Sequence, residues 1–486
     1  MKKTLALLGL LLGLASCSQN EPDDADIVDP GNEARLPVEA ATLVADAGNL
    51  IYQMKDGYGA NVTAISTSIV VSKYGGKLGS AYCELPPASD NASWNSIFGF
   101  MNWSGLDWIR LMIEMNDFEP EKDNFTWDSP NFLRLLKILD WAQANGVNVL
   151  LQLQDNCTTW NTIPGQDPAY SAPHDLDAFT TGFATMMEYL VKTKGYTCIT
   201  MCNIANEPMN SWGWWRGGVD ISQGYKATRE VLDKKGISVP LVGPEYFQDA
   251  KFTLNWNACK PWLGAFETHN YADVGKGGWA LRPISDLSYP VYWGEFGGGD
   301  NSNYDWNIKV AKWFVGGAKN KIDGFARWSY LNQNNIDGTF SYINTYQVAE
   351  ITPMKNLYWQ DGMVSRFTAK NSYVYQVTSS DKALTSTLFK SPGGNFTLIV
   401  VSDNTSTNWN TTISFEGLPA GITLKRYVCT PGTVKDKTSG VSIASNGSFT
   451  VGPASKSFKD TIYDNSIFVY STYNLSDKVD GIVSDP

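Results

Sequence analysis

Between about residue 50 and residue 350, short apolar runs alternate with segments whose apolar residues recur at helical spacing. Helix-like segments include Asn131–Asn145, Asp177–Lys194 and Trp306–Asn320. Strands that alternate with helices form a parallel sheet, and eight such units without a nucleotide-binding loop favour a closed barrel. The sequence therefore predicts an α/β fold with a (β/α)8 TIM barrel over residues 51–357, its strands at Gln53–Ala60, Leu106–Met115, Val147–Leu153, Cys198–Ala205, Val239–Gly243, Ala265–Thr268, Pro290–Trp293 and Ile322–Trp328.

The chain after Leu357 has a different pattern, with short β-rich runs separated by Gly, Pro, Asn and Ser. Such spacing is typical of all-β domains and predicts a C-terminal antiparallel β-sandwich over residues 358–475, followed by a frayed tail over 476–486. Residues 38–50, before the barrel, are predicted to form a strand that joins this sandwich, with Val38–Asp46 as its edge strand.

The amino terminus has the features of an export signal. Lys2 and Lys3 precede an apolar run, Leu5–Ala15, which is too short to span a bilayer as a helix. The run ends in Leu-Ala-Ser-Cys at Cys17, and this order of basic, apolar and small residues resembles the bacterial lipoprotein signal. The resemblance implies a signal peptide over residues 1–16 and lipidation of Cys17. The alternative is a plain signal peptide with an incidental cysteine.

Residues 17–37 are rich in acidic side chains and predict a flexible tether, because they cannot bury a core. An acidic run directly after Cys17 resembles the surface-export signal of Bacteroidetes lipoproteins. We therefore expect a protein anchored by lipid in the bacterial outer membrane and exposed at the cell surface. The net charge of −11 argues against nucleic acid as a partner and against membrane contact other than through the lipid.

Cysteine and histidine are sparse, with seven Cys and two His in 486 residues. The sequence contains no Cys-x-x-Cys, so we expect no metal site and no cofactor. Cys198 and Cys202 lie within one strand-like run and are predicted to be buried free thiols. Disulfide pairing and oligomeric state stay open.

Two motifs place a glutamate at the end of an apolar run. The run that begins at Ile199 stops at Asn206-Glu207-Pro208, because proline does not continue a central strand. A second run, which begins at Pro290, leads into Gly294-Glu295-Phe296-Gly297. Counting strands puts Glu207 after the fourth barrel strand and Glu295 after the seventh, on the same rim. Two carboxyl groups that face each other suggest chemistry on a glycosidic bond.

With these motifs the chain resembles clan A glycoside hydrolases, and the two glutamate motifs are similar to those of family 5, the cellulase type. Three further positions agree: Arg110 on strand 2, His269 and Tyr271 after strand 6, and Trp328 on strand 8. The amino-terminal strand and the sandwich are more similar to the layout of families 30 and 39. Strand 3 departs from family 5, since Leu151–Asn156 has no His where many members carry one.

The resemblance implies a role for each of these residues. Glu207 is the acid/base and Glu295 the nucleophile of a retaining pair, and Arg110 holds Glu295 by charge and hydrogen bonds. The other implied contacts are Asn206 with the sugar 2-hydroxyl, Tyr271 with Glu295, His269 within the site, and Trp328 as the floor beneath the reacting sugar. Structural alternatives are a turn at Asn206–Pro208, a barrel-interior ion pair for Arg110, a buried histidine, and core packing of Trp328.

Further cleft candidates follow the ends of strands 3, 4 and 5. Glu245, in Gly243-Pro244-Glu245-Tyr246, is expected to line the cleft, and Asn156 closes strand 3. Trp160 and Trp212 fall in loops and predict stacking platforms for sugar rings, with packing of the loops themselves as the alternative.

The function predicted from these features is a retaining glycoside hydrolase that cleaves a β-linked polysaccharide, of the endo-β-glucanase type. One alternative is a non-catalytic surface glycan-binding protein on a barrel scaffold. Others are a β-mannanase, a xylanase or a transglycosylase that uses the same residues. The sugar, its linkage, endo versus exo action and carbohydrate binding by the sandwich stay open.

Overall fold

The computed structural model describes most of the barrel and of the sandwich. Cys17, Asn156, Trp212, the signal peptide, most of the tether and the tail lie outside the described residues. Within the described part, no helix combines the length and the apolar character that crossing a membrane requires. The described ranges are 36–64, 85–154, 158–168, 170–208, 215–247, 252–271, 288–297, 304–328, 331–332, 343–344, 352–353, 355–403, 406–431, 445–453 and 456–473.

The barrel predicted from the sequence is present. Strand β1 (Val38–Gln53) precedes it and belongs to the second sheet. The barrel strands form one eight-stranded sheet of parallel pairs, and a bridge between Cys202 and Leu241 joins its two end strands. These strands are β2 (Gly57–Ala64), β3 (Trp108–Ile113), β4 (Asn148–Leu153), β5 (Ile199–Asn203), β6 (Val242–Phe247), β7 (Ala265–Tyr271), β8 (Val291–Gly297) and β9 (Gly324–Arg327).

The helices lie between these strands and begin and end where local sequence dictates. For the second helix, Ser129 caps the start by accepting from the Phe132 N–H at 3.2 Å, Pro130 occupies the first turn, and Gly146 ends the helix in a left-handed conformation. The helices are α1 (Asn91–Ser104), α2 (Pro130–Asn145), α3 (Leu176–Glu188, continued by a π-helical turn at Tyr189–Thr193), α4 (Ile221–Lys234), α5 (Phe252–Cys259), α6 (Tyr304–Lys319) and α7 (Lys355–Ser365).

The inside of the barrel is layered. One layer is apolar and fully packed, and it consists of Trp108, Leu150, Met201, Val242, Ala265, Tyr292 and Ala326. Gly59 lies against it, where an added Cβ would come within 2.4 Å of the Trp108 carbonyl oxygen. Because side chains alternate along a strand, residues two positions further along β3, β4, β5 and β7 point into the same interior. A polar layer therefore lies directly above the apolar one.

The second sheet has nine strands and is largely antiparallel, as expected for a sandwich. Its carboxyl-terminal strands follow the two-residue strands β10 (Leu331–Asn332), β11 (Ile343–Asn344) and β12 (Thr352–Pro353), which form a small sheet of their own. They are β13 (Tyr373–Ser379), β14 (Leu384–Lys390), β15 (Phe396–Ser402), β16 (Asn408–Glu416), β17 (Thr423–Cys429), β18 (Ser448–Thr450), β19 (Ser457–Ile462) and β20 (Ser466–Ser471).

One expectation about this region was wrong. Strand β1 is not an edge strand, because it lies between β13 and β16 and pairs with β16 in parallel. Strand order depends on contacts between distant segments, which a local apolar pattern does not contain. The helix α7 crosses residue 357 and ends at Ser365. Gly362 in this helix faces the ring of Trp103 on α1, where an added Cβ would come within 2.7 Å. The helix α7 therefore packs closely against α1 through a glycine and not through a regular row of apolar side chains.

One face of this nine-stranded sheet packs against the barrel, and the other face packs into the sandwich core. On β15, Ile399 and Val401 join the core that continues into the barrel, whereas Leu398 and Val400 join the separate sandwich core. A strand buried on both faces is continuously apolar, which explains the run Leu398–Val401. Lys312 of α6 also pairs with Asp403 at 2.8 Å, and the Thr387 hydroxyl donates to the Val315 carbonyl at 2.8 Å.

The interior position of β1 predicts that two of its leucines contribute very differently to the free energy of unfolding. Leu43 is fully buried in the sandwich core, whereas Leu50 is 50% exposed. Leu43→Ala is expected to lower the free energy of unfolding by about 2–5 kcal/mol, because it removes apolar contacts and leaves a cavity. Leu50→Ala, the matched control, is expected to change it by less than about 0.5 kcal/mol. Urea-induced unfolding measures both, and equal losses would contradict an interior position for β1.

Candidate active site

The polar layer of the barrel lies at the carboxyl ends of its strands. Buried polar side chains in this layer come from seven strands. Glu295 is 5% exposed, and the other residues are completely inaccessible to solvent: Asn61, Arg110, Gln152, Asn203, Glu245, Glu267 and His269. Burying this many polar groups is tolerated only where they satisfy one another. Their hydrogen bonds therefore define the site.

Arg110 is the centre of this network. Its guanidinium has five N–H donors, and each has an acceptor. Burial alone disfavours the charged form, but the carboxylates of Glu245 and Glu295 outweigh it and hold the pKa of Arg110 above its usual range. Nε donates to Gln152 Oε1 at 2.9 Å. Nη1 donates to Asn61 Oδ1 and to Glu295 Oε1, both at 2.7 Å. Nη2 donates to Asn206 Oδ1 at 2.7 Å and to Glu245 Oε1 at 2.8 Å.

Glu207 and Glu295 face each other across His269. The Nδ1 atom of His269 is 2.5 Å from Glu207 Oε1 and 3.3 Å from Glu295 Oε2. One ring nitrogen of His269 and one carboxyl oxygen of each glutamate all lie within 4.8 Å of one another. Burial of the imidazole opposes its protonation, but Glu295 and Glu207 outweigh this and raise the pKa of His269. The three side chains can therefore share and exchange protons.

Two glutamates of the site have a strained backbone. Glu207 has φ 40° and Glu245 has φ 49°, in the left-handed region that costs a non-glycine residue about 1–3 kcal/mol. The strain is supported by a hydrogen bond between them, in which the Glu207 N–H donates to Glu245 Oε2 at 3.0 Å. This bond fixes the turn that presents Glu207 after β5.

The strands at this rim are longer than the sequence indicated. Glu245, His269 and Glu295 lie within β6, β7 and β8 rather than after them. Polar residues inside a strand do not follow the apolar pattern used to place strand ends, so the predicted strands stopped short. Glu245 is completely buried and contacts the Arg110 guanidinium and the Glu207 backbone N–H.

The aromatic candidates occupy different environments. Trp328 directly follows β9 at the same rim and is half-buried, and its backbone N–H donates to the Phe296 carbonyl at 3.0 Å. Trp160 is half-buried against the barrel core, and its indole N–H donates to the Glu119 carbonyl at 3.1 Å, so it joins its loop to the segment after β3. The side chain of Tyr271 lies outside the described part, as do Asn156 and Trp212.

Four site residues were not singled out from the sequence: Asn61, Gln152, Asn203 and Glu267. Each lies two positions after an interior position of its strand, so the two-residue alternation was the signal that could have found them. Gln152 links three parts of the network. It accepts from Arg110 and donates to Glu245 Oε2 at 2.9 Å and to the Ala205 carbonyl at 3.1 Å.

Two overlapping groups bring three side chains close enough to ligate one cation, namely Glu207, His269 and Glu295, and Glu245, Glu267 and His269. Arg110 already supplies a positive charge 2.7 Å from Glu295 and 2.8 Å from Glu245. A second cation at this position would be repelled by the guanidinium, since both lie in a buried, low-dielectric site. We therefore interpret both groups as parts of one hydrogen-bonded network.

The network predicts that Arg110 is required for stability. Arg110→Ala is expected to lower the free energy of unfolding by about 3–5 kcal/mol, because buried carboxylates lose their counter-charge. Lys122→Ala is the control, since Lys122 forms an exposed ion pair with Asp175 and its loss is expected to leave the unfolding midpoint unchanged. Urea unfolding followed by tryptophan fluorescence compares the two variants. A loss no larger than that of the control would contradict the central role of Arg110.

Solved structures of similar fold cover most of the chain. A family 30, subfamily 8 xylanase from Clostridium acetobutylicum is 13% identical with a TM-score of 0.64, and covers 88% of this chain and 99% of its own. An endo-β1,6-glucanase is 15% identical, with a TM-score of 0.60 and coverage of 91% and 96%. An α-L-arabinofuranosidase from Thermotoga maritima is 12% identical, with a TM-score of 0.58 and coverage of 89% and 99%. At these identities the likeness establishes the barrel-and-sandwich fold.

The family follows from the sequence profile. No curated protein sequence matches the chain. The profile of the cellulase family, glycosyl hydrolase family 5, matches residues 55–340, which is more than half of the chain and contains the whole polar network. The chain therefore belongs to glycosyl hydrolase family 5 and is a glycoside hydrolase of clan A.

Proposed function

We propose that this glycoside hydrolase cleaves a β-linked polysaccharide with retention of anomeric configuration, by double displacement, and acts as an endo-β-glucanase. The observation that carries the mechanism is the approach of Glu207 and Glu295, whose nearest carboxyl oxygens lie within 4.8 Å. Retaining enzymes separate these groups by about 5–5.5 Å, whereas inverting enzymes leave about 6.5–9.5 Å for a water molecule. The short separation favours direct attack by one carboxylate on the sugar.

Glu295 is the proposed nucleophile. Its Oε1 accepts from Arg110 Nη1 at 2.7 Å, so a permanent positive charge stabilises the carboxylate. Its Oε2 faces His269 and the side of the site on which Glu207 lies. One oxygen is thus held while the other is directed at the place where the anomeric carbon would lie.

Glu207 is the proposed acid/base. It protonates the leaving oxygen in the first step and removes a proton from water in the second. Its contact with His269 at 2.5 Å supplies a group that accepts or returns this proton. The strained turn after β5 holds the carboxyl at the rim, with 6% of the residue exposed for contact with substrate.

The remaining contacts would hold the sugar. Asn206 Oδ1 accepts from Arg110, so its amide N–H groups are the donors that we assign to the 2-hydroxyl of the reacting sugar. Trp328, at the end of β9, is proposed as the floor of this subsite, and Tyr271 as a second donor to Glu295. Asn156 and Trp212 are proposed as contacts further along the cleft.

The glucan preference rests on the family. The profile that matches the barrel is that of cellulases, and one structural neighbour is an endo-β1,6-glucanase. Another neighbour is a xylanase, and a xylanase, a mannanase or a transglycosylase would use the same catalytic residues. A non-catalytic glycan-binding protein would not need two facing carboxyls held by an arginine and a histidine, so we favour the enzyme.

We further propose that the enzyme is anchored by lipid at Cys17 in the bacterial outer membrane and exposed at the cell surface. The support is the order of basic, apolar and small residues before Cys17 and the acidic run after it. An endo-acting enzyme at the surface would meet polymers that are too large to enter the cell. The tether would give the barrel reach from the membrane.

The proposed roles predict different kinetics for two variants. Glu295→Ala is expected to lose at least about 10⁴-fold in kcat on every substrate, because no covalent intermediate forms. Glu207→Ala is expected to lose about 10²–10⁴-fold on polysaccharide, the usual contribution of acid–base catalysis. With a dinitrophenyl glycoside, whose leaving group needs no proton, Glu207→Ala is expected to show a burst followed by slow turnover.

The measurement uses a panel of β-glucans, xylans and mannans with wild type, both variants and Glu230→Ala, a control on an exposed side chain of α4 that is 50% accessible. The anomer released first is identified by NMR. Near wild-type activity of either active-site variant, or an inverted first product, would refute the mechanism. Faster cleavage of xylan or mannan than of every β-glucan would refute the substrate preference.

The lipid anchor predicts a change of location. In the native host, Cys17→Ala is expected to abolish labelling by a fatty-acid analogue and to move the protein from the membrane to the soluble fraction. Replacing the acidic residues between Glu21 and Glu33 with their amides is expected to keep the lipid but protect the protein from protease added outside the cell. Membrane retention of Cys17→Ala would refute the anchor.

A further inference from the structure

Glu245 and Glu267 are two completely buried carboxyl groups on adjacent strands with very different surroundings. Glu245 accepts from a charged donor, Arg110 Nη2, at 2.8 Å. Its other oxygen accepts from Gln152 Nε2 at 2.9 Å and from the Glu207 N–H at 3.0 Å. Three donors and an adjacent cation are what a buried carboxylate needs to stay ionised.

Glu267 has no such set of donors. Among the described residues, no donor binds its Oε1, and its Oε2 accepts only a long bond from Asn203 Nδ2 at 3.4 Å. Arg110 Nε lies 3.5 Å from Oε1, but its single N–H is already donated to Gln152 at 2.9 Å. The guanidinium therefore has no donor left for Glu267.

The space around Glu267 is closed as well. Gly294 on β8 lies against it, and a Cβ added there would come within 1.7 Å of Glu267 Oε1. Glycine is thus the residue that leaves room for this carboxyl, and no side chain of β8 can bring a donor at that position. An ionised carboxylate with one long hydrogen bond would be strongly disfavoured in such a site.

Around Glu267, burial and the neighbouring carboxylates outweigh the one cation. Glu245 on β6 and Glu295 on β8 are like charges, Arg110 on β3 is the cation, and His269 on β7 and Glu207 after β5 complete the group. Burial first, and then the neighbouring Glu245 carboxylate, raise the pKa of Glu267 well above its usual range. A protonated Glu267 can donate its O–H to the Glu245 carboxylate, with which it is paired by a side-chain hydrogen bond.

We propose that Glu245 and Glu267 hold one proton between them, carried by Glu267, and that Glu267 is a positioning residue of the active site. Its neutral carboxyl donates to Glu245 and adds no negative charge. Glu245 then keeps its bonds to Arg110 and to the Glu207 backbone. An ionised Glu267 would compete with Glu295 for the charge of Arg110 and would increase the attraction of protons to His269.

Infrared difference spectroscopy tests the protonation state directly. Glu267→Gln replaces a neutral carboxylic acid with a neutral amide of nearly the same shape. The spectrum of wild type minus Glu267→Gln at neutral pH is expected to contain the carbonyl band of a buried carboxylic acid. Carboxylate bands in its place would overturn the proposal. This measurement needs no substrate, so its result is separate from the success of the proposed function.

Kinetic rescue tests the positioning role, which rests on the proposed function. Glu267→Ala is expected to lower kcat by at least about tenfold, because small displacements of catalytic groups are costly, and Glu267→Gln is expected to restore most of it. At Glu245 we expect glutamine to restore little activity, because its amide N–H₂ would face the donors of Arg110, Gln152 or Glu207. Glu245→Gln is therefore expected to rescue Glu245→Ala by less than about twofold.

The two pairs of variants are compared at matched pH, with circular dichroism to confirm folding. Equal failure of glutamine at both positions would overturn the proposal, since it would mean that Glu267 also acts as a charged group. Rescue at Glu245 but not at Glu267 would overturn it too. An inactive wild type would refute the proposed function and leave the infrared result to decide the protonation state.

Discussion

The guanidinium of Arg110 is the one group on which the rest of the polar layer depends. Its five N–H donors bind acceptors from five different segments of the barrel, so one planar side chain fixes their relative positions. A lysine has three donors and no fixed plane, and it could not make these five bonds. The carboxylates in turn keep Arg110 charged although it is completely buried. Cation and carboxylates are stable only together.

The layers of the barrel explain where this network can exist. The apolar layer around Trp108 and Tyr292 closes the interior below, and every polar side chain above it must be satisfied by another. Glu245 meets that condition by accepting hydrogen bonds from three donors. In our proposal Glu267 meets it in the same environment by carrying a proton. The backbone strain at Glu207 and Glu245 is supported by the bond between them.

Much of the fold could be predicted because it depends on local patterns. Apolar runs alternating with helical segments indicated the barrel, and short β-rich runs indicated the sandwich, and both are present. The position of β1 between β13 and β16 could not be predicted, since pairing partners lie far apart in the chain. The helix α7 was not predicted, and its packing depends on Gly362 against Trp103. The strand ends at Glu245, His269 and Glu295 were missed because polar residues there point into the barrel.

By itself, the sequence determined the chemical groups of the site. Asn206-Glu207-Pro208 and Gly294-Glu295 follow apolar runs, and proline does not continue a central strand whatever surrounds it. Only the tertiary structure decided how these groups act. Distances of 2.5 Å between His269 and Glu207 and of 2.7 Å between Arg110 and Glu295 arise when strands that are distant in sequence close into a barrel. Charge and protonation depend on those distances and on burial, and neither exists until the chain has folded.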